Sequence, residues 1–478
     1  MTRLEKNTHF CEMLSRSHLM KHIETHIALN RFGLGPKPGE TQRIKTDPKL
    51  WLKSQITKSQ SVPKALSKFP PSEETFTKVH VARMTSPEDL RITTRGLYRS
   101  VFTNEVIARA KHMIRTDLPF SERMVLFWSN HFTVSRTKWI VGPVIPAYER
   151  EVIRPHVFGR FSDMLKAAIQ HPVMISYLDN FNSAGPNSTT GQFRIRRRGN
   201  KATLNENLAR EILELHTLGV NGGYNQRDVI ELAKAITGWS HGGLRFKKRL
   251  KPPDNEPVNG RFEFREHFHE PGPKEILGKI YDQGGVSEGL AVLDDLALHP
   301  STAHFIATKL VRHFVADDPP KAAIKIISEV FLRSGGDLAQ VSEALVDLDE
   351  VWTEPLTKVK SPYELAISTH RAVENINPKR GDILLPLREL GQSPFAAPSP
   401  QGWGDQGNDW ISPAALMTRI EWLRRFSRRI PSTLIPSEVL QNTIGVVASQ
   451  ETRDWIERAP SGDAAIAMLF SSPEFQRR

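Results

Sequence analysis

Apolar residues recur every three or four positions behind one helix-start signal after another, while alternating apolar and polar runs are scarce. That pattern constrains the chain to a mostly α fold built on a large helical core domain. Ser86-Pro87-Glu88-Asp89 shows the grammar: a capping hydroxyl, a proline suited to the first helical position, and carboxylates at the positive end of the helix dipole. Related starts occur at Ser121-Glu122, Ser162-Asp163, Asn205-Glu206, Asn225 to Asp228, Ser287-Glu288, Ser301-Thr302, Ser361-Pro362 and Ser412-Pro413, with a further helix from about Pro320 to Leu332. In the helix opened at Ser121, Met124, Phe127, Trp128 and His131 share one face, so His131 points inward. The helix from Asn205 runs to Gly219, with Leu208, Ile212 and Leu215 as its buried stripe and Asn207, Glu211 and Glu214 bordering it.

Two stretches break the pattern. Residues 240–285 are rich in Gly, Pro and Lys, and the alternation Phe262-Glu263-Phe264 predicts a small β hairpin in an insertion or active-site loop. Residues 377–410 are rich in Pro and Gly and too long for an ordinary connection, so they form a linker or a functional loop, and Trp403 and Trp410 argue for docking. The expected division is a helical core domain over 1–376, including the insertion, and a loop with C-terminal helices over 377–478 packed on that core.

Composition excludes several classes. The single cysteine, Cys11, rules out an intramolecular disulfide framework, a cysteine-rich zinc site and an iron–sulfur cluster held by this chain alone. No run of about 18 apolar residues occurs, so no transmembrane segment is expected. Met1 to Met20 carries no apolar core and no Arg-Arg pair, so no export signal is expected and the cytoplasm is the expected compartment. The net charge of +12 is concentrated in Arg194 to Lys201, Arg245 to Lys251 and Arg424 to Arg429. The first two lie in segments that read as exposed loops, and a solvated surface is favoured over a polyanion site. Nucleic acid is not indicated, since no zinc finger, RNP sequence or Walker loop accompanies them.

The densest polar helix is Asn205 to His216. Glu206 and Arg210 are spaced for a surface ion pair, and Glu211 with Glu214 could bind a cation or do acid–base work, or join a salt-bridge network instead. Among the seventeen histidines, His131, His269 beside Glu270, His299 and His313 near Lys309 are candidates, each of which could equally be a satisfied core residue. His22 and His26 lie four apart but lack the zincin order. No Gly-x-Ser-x-Gly elbow and no dinucleotide fingerprint is present, which disfavours a serine hydrolase or a Rossmann dehydrogenase.

An ordered set of motifs runs along the chain: His26 to Gly33, Phe127 to Phe132, Asn205 to Glu211, Thr237-Gly238-Trp239, and His269 to Gly272 with Leu277-Gly278. It continues through His299-Pro300, Lys309-Leu310, His313 to Val315, Gly391-Gln392, Gly402-Trp403 and Ser472 to Phe475. This set resembles the bacterial family known as domain of unknown function 1800 over nearly the whole chain. The resemblance brings no established reaction. It implies that many relatives are exported and work beside a family resembling alkaline-phosphatase-like hydrolases. It also implies an acid at Glu270, where relatives often carry Asp, and a core role for His216, where relatives often carry Phe.

The leading reading is an enzyme, hydrolytic or oxidative, with His131, Arg210, Glu211 and Glu270 as catalytic groups. His131, Glu206, Glu211 and His269 would be the ligands of a divalent transition metal. The alternatives are a scaffold for a phosphatase-like partner, docking through Trp403 and Trp410, and a polyanion-binding protein using the basic clusters.

Overall fold

The computed structural model describes residues 19–56, 62–198, 204–242, 260–375 and 377–478. Capping explains most of the helix starts. Ser86 Oγ accepts from Asp89 N at the head of Pro87–Leu97, and Asn225 forms a reciprocal capping box with Asp228 at Gln226–Ala235. Ser361 and Glu364 form another at Pro362–Ala372, and Ser412 caps Pro413–Ser427. The fold is mostly helical, with two small two-stranded antiparallel sheets among the described residues. Among the described residues no helix is long and apolar enough to cross a membrane.

Two apolar cores organise these helices. The larger gathers Phe32, Phe120, Trp128, Phe132, Phe161, Trp239 and Phe314. The second joins Ala110, Met113 and Ile114 to Leu365, Ile367, Trp422, Leu423, Phe470 and Phe475. Met124, Phe127, Trp128 and His131 are all buried, as their spacing on Pro119–His131 requires.

Several local readings are corrected. Helix Pro119–His131 starts two residues ahead of Ser121, whose hydroxyl instead donates to Gln55 O. The run Arg194 to Arg198 is helical, in Thr189–Arg198, because Ser188 Oγ accepts from Gly191 N and supplies a cap. The cluster at 245–251 lies outside the described residues. Arg425 pairs with Glu389 and Arg429 with Asp382, so part of the third cluster is an ordinary solvated face. The helix after Asn205 is α only over Asn207–Glu211 and continues as a π turn, Ile212–His216. The wider turn advances the register, so Leu213 and His216 are buried where Leu215 was expected. In the insertion, β2 (Phe262–Phe264) pairs with β1 (Trp239–His241), with Trp239 opposite Phe264. A second hairpin, β3 (Lys274–Ile276) with β4 (Lys279–Tyr281), follows it. Residues 377–410 contain a helix, Arg380–Glu389, before the loop.

Glu364 ties the two cores together. It caps its own helix through Ser361 N at 2.7 Å, and it accepts from Arg123 of Pro119–His131 and pairs with Arg478 at 3.1 Å. All three side chains are buried. Burial opposes the charged carboxyl, but Arg478 and Arg123 outweigh it and hold Glu364 far below the usual carboxylate range. Glu364→Gln leaves both guanidinium groups without their counter-charge, so urea unfolding at pH 7 should show a loss of about 3–5 kcal/mol. A loss under about 1 kcal/mol would contradict this role.

Candidate functional site

His299 caps the helix Pro300–Phe314 by accepting Ser301 N–H on Nδ1 at 3.1 Å, which accounts for one of the candidate histidines. Lys309 and His313 fall four apart on that helix and so share a face, with Arg312 beside them. The face opens on a cavity of about 510 Å³. Its other walls are Asn130 and His131 at the end of Pro119–His131, Tyr363 and Glu364 at the start of Pro362–Ala372, and the loop from Gln392 to Asp409.

The loop is fixed by backbone contacts. Asn130 accepts from Trp403 N at 2.8 Å and donates to Trp403 O at 2.9 Å, so one side-chain amide clamps the backbone of one residue on both sides. Gly402 allows this approach: its φ is +88°, and a Cβ there would lie 2.6 Å from Asn130 O. Ser135 Oγ donates to Ala397 O at 2.7 Å, and Gly407 N donates to Asp317 Oδ2 at 2.7 Å. These contacts bring Asp405 to His313.

Two imidazoles in the cavity wall have opposite tautomers. His131 Nε2 faces the carbonyl of His216 at 3.1 Å. A carbonyl only accepts, so Nε2 carries the proton and Nδ1 accepts from Lys309 Nζ at 3.1 Å. The π turn ends at His216, so that carbonyl lies in the last turn of the helix, where carbonyls lack an intrahelical donor. His313 Nδ1 lies 3.0 Å from both oxygens of Asp405, so Nδ1 carries the proton. His313 Nε2 then presents a lone pair that has no hydrogen-bond partner.

The surroundings tune these groups. Burial, with Lys309 nearby, keeps His131 well below the usual imidazole range. Burial also lowers His313, against the opposing pull of Asp405. The Asp405 carboxyl is raised by burial but held low by His313, Lys358 and Arg478. Burial drops the Lys309 amine to about 8; Asp405 opposes this and Arg312 adds to it.

Of the catalytic and metal-ligand residues expected from sequence only His131 lines this cavity, joined by His313, which the sequence offered as a lone candidate histidine. Glu206 pairs with Arg210 at 3.0 Å and accepts from Gln226, in a partly exposed network. Glu211 is half-buried, and burial and then Glu214 raise its carboxyl. His269 Nδ1 meets Thr237 O at 3.0 Å and Nε2 meets Glu288 at 3.1 Å, while Lys274 closes on the other Glu288 oxygen at 2.9 Å. Glu270 accepts from Asn187 N at 2.8 Å and abuts Gly185, so His269 and Glu270 brace the β1–β4 region. Among the described residues no three His, Cys, Asp or Glu side chains are placed to hold a metal ion.

The sequence marks His313 and its neighbour Lys309 but assigns neither to the site, and it misses Asp405. Lys309 and His313 carried a readable signal, their four-residue spacing on one helix face. Asp405 carried none, because a Gly-rich loop has no periodicity.

Over residues 27–477 the chain matches the family described as Protein of unknown function (DUF1800). It belongs to that family. No match was found among curated proteins or solved structures.

Stability reports the electrostatics of the cavity directly. Lys309 has a folded pKa of about 8 against an ordinary 10.5, so below pH 8 the unfolded chain holds the proton more tightly and the charged amine costs stability. Lys309→Met should therefore raise stability at pH 7 by about 1–3 kcal/mol, less the hydrogen bond lost to His131. The gain should fade between pH 8 and 10.5. Thermal unfolding across pH checks this, and a destabilised variant at pH 7 would contradict it.

Proposed function

We propose that this protein is a hydrolytic enzyme working by acid–base catalysis in the cavity between Pro300–Phe314 and the 392–409 loop. The observation that carries the reading is His313 in the cavity wall, with Nδ1–H held by Asp405 and Nε2 buried without a hydrogen-bond partner. A carboxylate that fixes the tautomer and stabilises the imidazolium is what a histidine base requires. His313 Nε2 takes a proton from water as the water oxygen bonds to a carbonyl or phosphoryl centre. The resulting imidazolium returns that proton to the leaving oxygen as its bond to the centre breaks. Lys309, one helical turn away and aligned by His131, supplies positive charge where the oxyanion develops.

Turnover of p-nitrophenyl esters of phosphate and of short carboxylic acids tests the reading. Wild type should hydrolyse at least one class, and His313→Asn and Asp405→Asn should each lower kcat by about 10²–10⁴-fold with melting temperatures that show intact folds. Unchanged turnover in His313→Asn, or no turnover of either class by wild type, would overturn it.

A further inference from the structure

The charges around the cavity do not cancel. Glu364 is matched by Arg123 and Arg478, and Arg109 by Glu149 at 2.6 Å. Asp405 holds the neutral His313 and pairs with Arg478 at 3.9 Å, the second cation beside Glu364, and its neighbour Lys358 is matched by Asp317. Lys309 and Arg312 are left over. Lys309 donates to a neutral imidazole, and the guanidinium of Arg312 reaches a backbone carbonyl, Asp317 O, at 3.4 Å. Neither forms an ion pair with a carboxylate among the described residues. The two are three apart on one helix, so their heads rise from the same side. Asp409, at the exposed rim, accepts from Gln406 N at 2.9 Å.

The cavity also has an aromatic wall. Trp403 is half-buried, is clamped at its backbone by Asn130, and packs against Trp410 with ring centroids 6.0 Å apart. Clamping removes the backbone freedom that a ring-stacking residue would otherwise lose on binding. A cavity of about 510 Å³ suits a small molecule rather than a polymer segment or a lone ion.

We infer that the cavity binds a ring-bearing organic anion, with its carboxylate or phosphoryl head between Lys309 and Arg312 and its ring against Trp403. This rests on the reading of the cavity as the site of reaction and names the substrate class. Oxyanion recognition by paired cations and ring recognition by an indole face are the two chemistries the walls offer. The head lies beside His313, so the bond to be hydrolysed is at or next to the anionic group.

Calorimetric titration of the full chain with phenyl phosphate, benzoate, inorganic phosphate and uncharged benzyl alcohol tests the inference. At least one of the two ring anions should bind and benzyl alcohol should not, and whichever of phenyl phosphate and benzoate binds more tightly identifies the head group. Arg312→Gln should weaken the ring anion at least tenfold without moving the melting temperature, since among the described residues Arg312 makes one long hydrogen bond. Trp403→Leu should weaken the ring anion at least fivefold and leave inorganic phosphate unchanged. Binding of neither ring anion, equal binding of benzyl alcohol, or an unaltered affinity in Arg312→Gln or Trp403→Leu would overturn the inference. Binding needs no proton transfer. His313→Asn that binds but does not turn over supports both claims, and wild type that binds without any turnover sinks the hydrolytic reading alone.

Discussion

The buried ion cluster on Glu364 is the constraint on which the rest of the structure depends. One carboxylate, taken out of water, holds a guanidinium from each of two distant parts of the chain and caps the helix that carries it. A buried charge of this kind is tolerated only when its partners are held in place. Arg123 stands on the helix that ends in His131, and Arg478 donates to His313 O at 2.9 Å. Satisfying Glu364 therefore sets the spacing between the two helices that supply the imidazoles.

The same economy runs through the cavity. Each of the two imidazoles is aligned by a partner that can act in only one sense: a carbonyl for His131, a carboxylate for His313. The tautomers follow from those partners, and the lone pairs that remain point to different tasks. His131 spends its lone pair on Lys309, and His313 keeps its own. The loop that provides Asp405 has little regular structure, yet it is held in place because Asn130, Ser135, Asp317 and Lys358 all bond to its backbone. Sites of this sort keep their geometry without strain in the reacting residues.

What could be read from sequence was what is local. Ser86, Asn225, Ser361 and Ser412 cap helices as their neighbours dictate, and the burial of His131 follows from its spacing after Met124 and Trp128. What could not be read depends on contacts between remote segments. The π turn at Ile212–His216 is not encoded by apolar spacing, and it moved Leu215 out of the core stripe. His269 and Glu270 illustrate the ambiguity of polar residues: an imidazole beside an acid looks like chemistry, and here the pair braces a hairpin against Glu288 and Asn187. Glu206, Arg210 and Glu211 form a helix edge of charges for the same reason, while Lys309 and Asp405, far apart in sequence, converge on the cavity.

The central claim is that His313 stands as a neutral imidazole with its lone pair on Nε2. Nitrogen-15 NMR of histidine-labelled protein at pH 7, with resonances assigned through His313→Asn and His131→Asn, measures this directly. The account predicts the Nδ1–H tautomer for His313 and the Nε2–H tautomer for His131. An imidazolium at His313, or a proton on its Nε2, would contradict it.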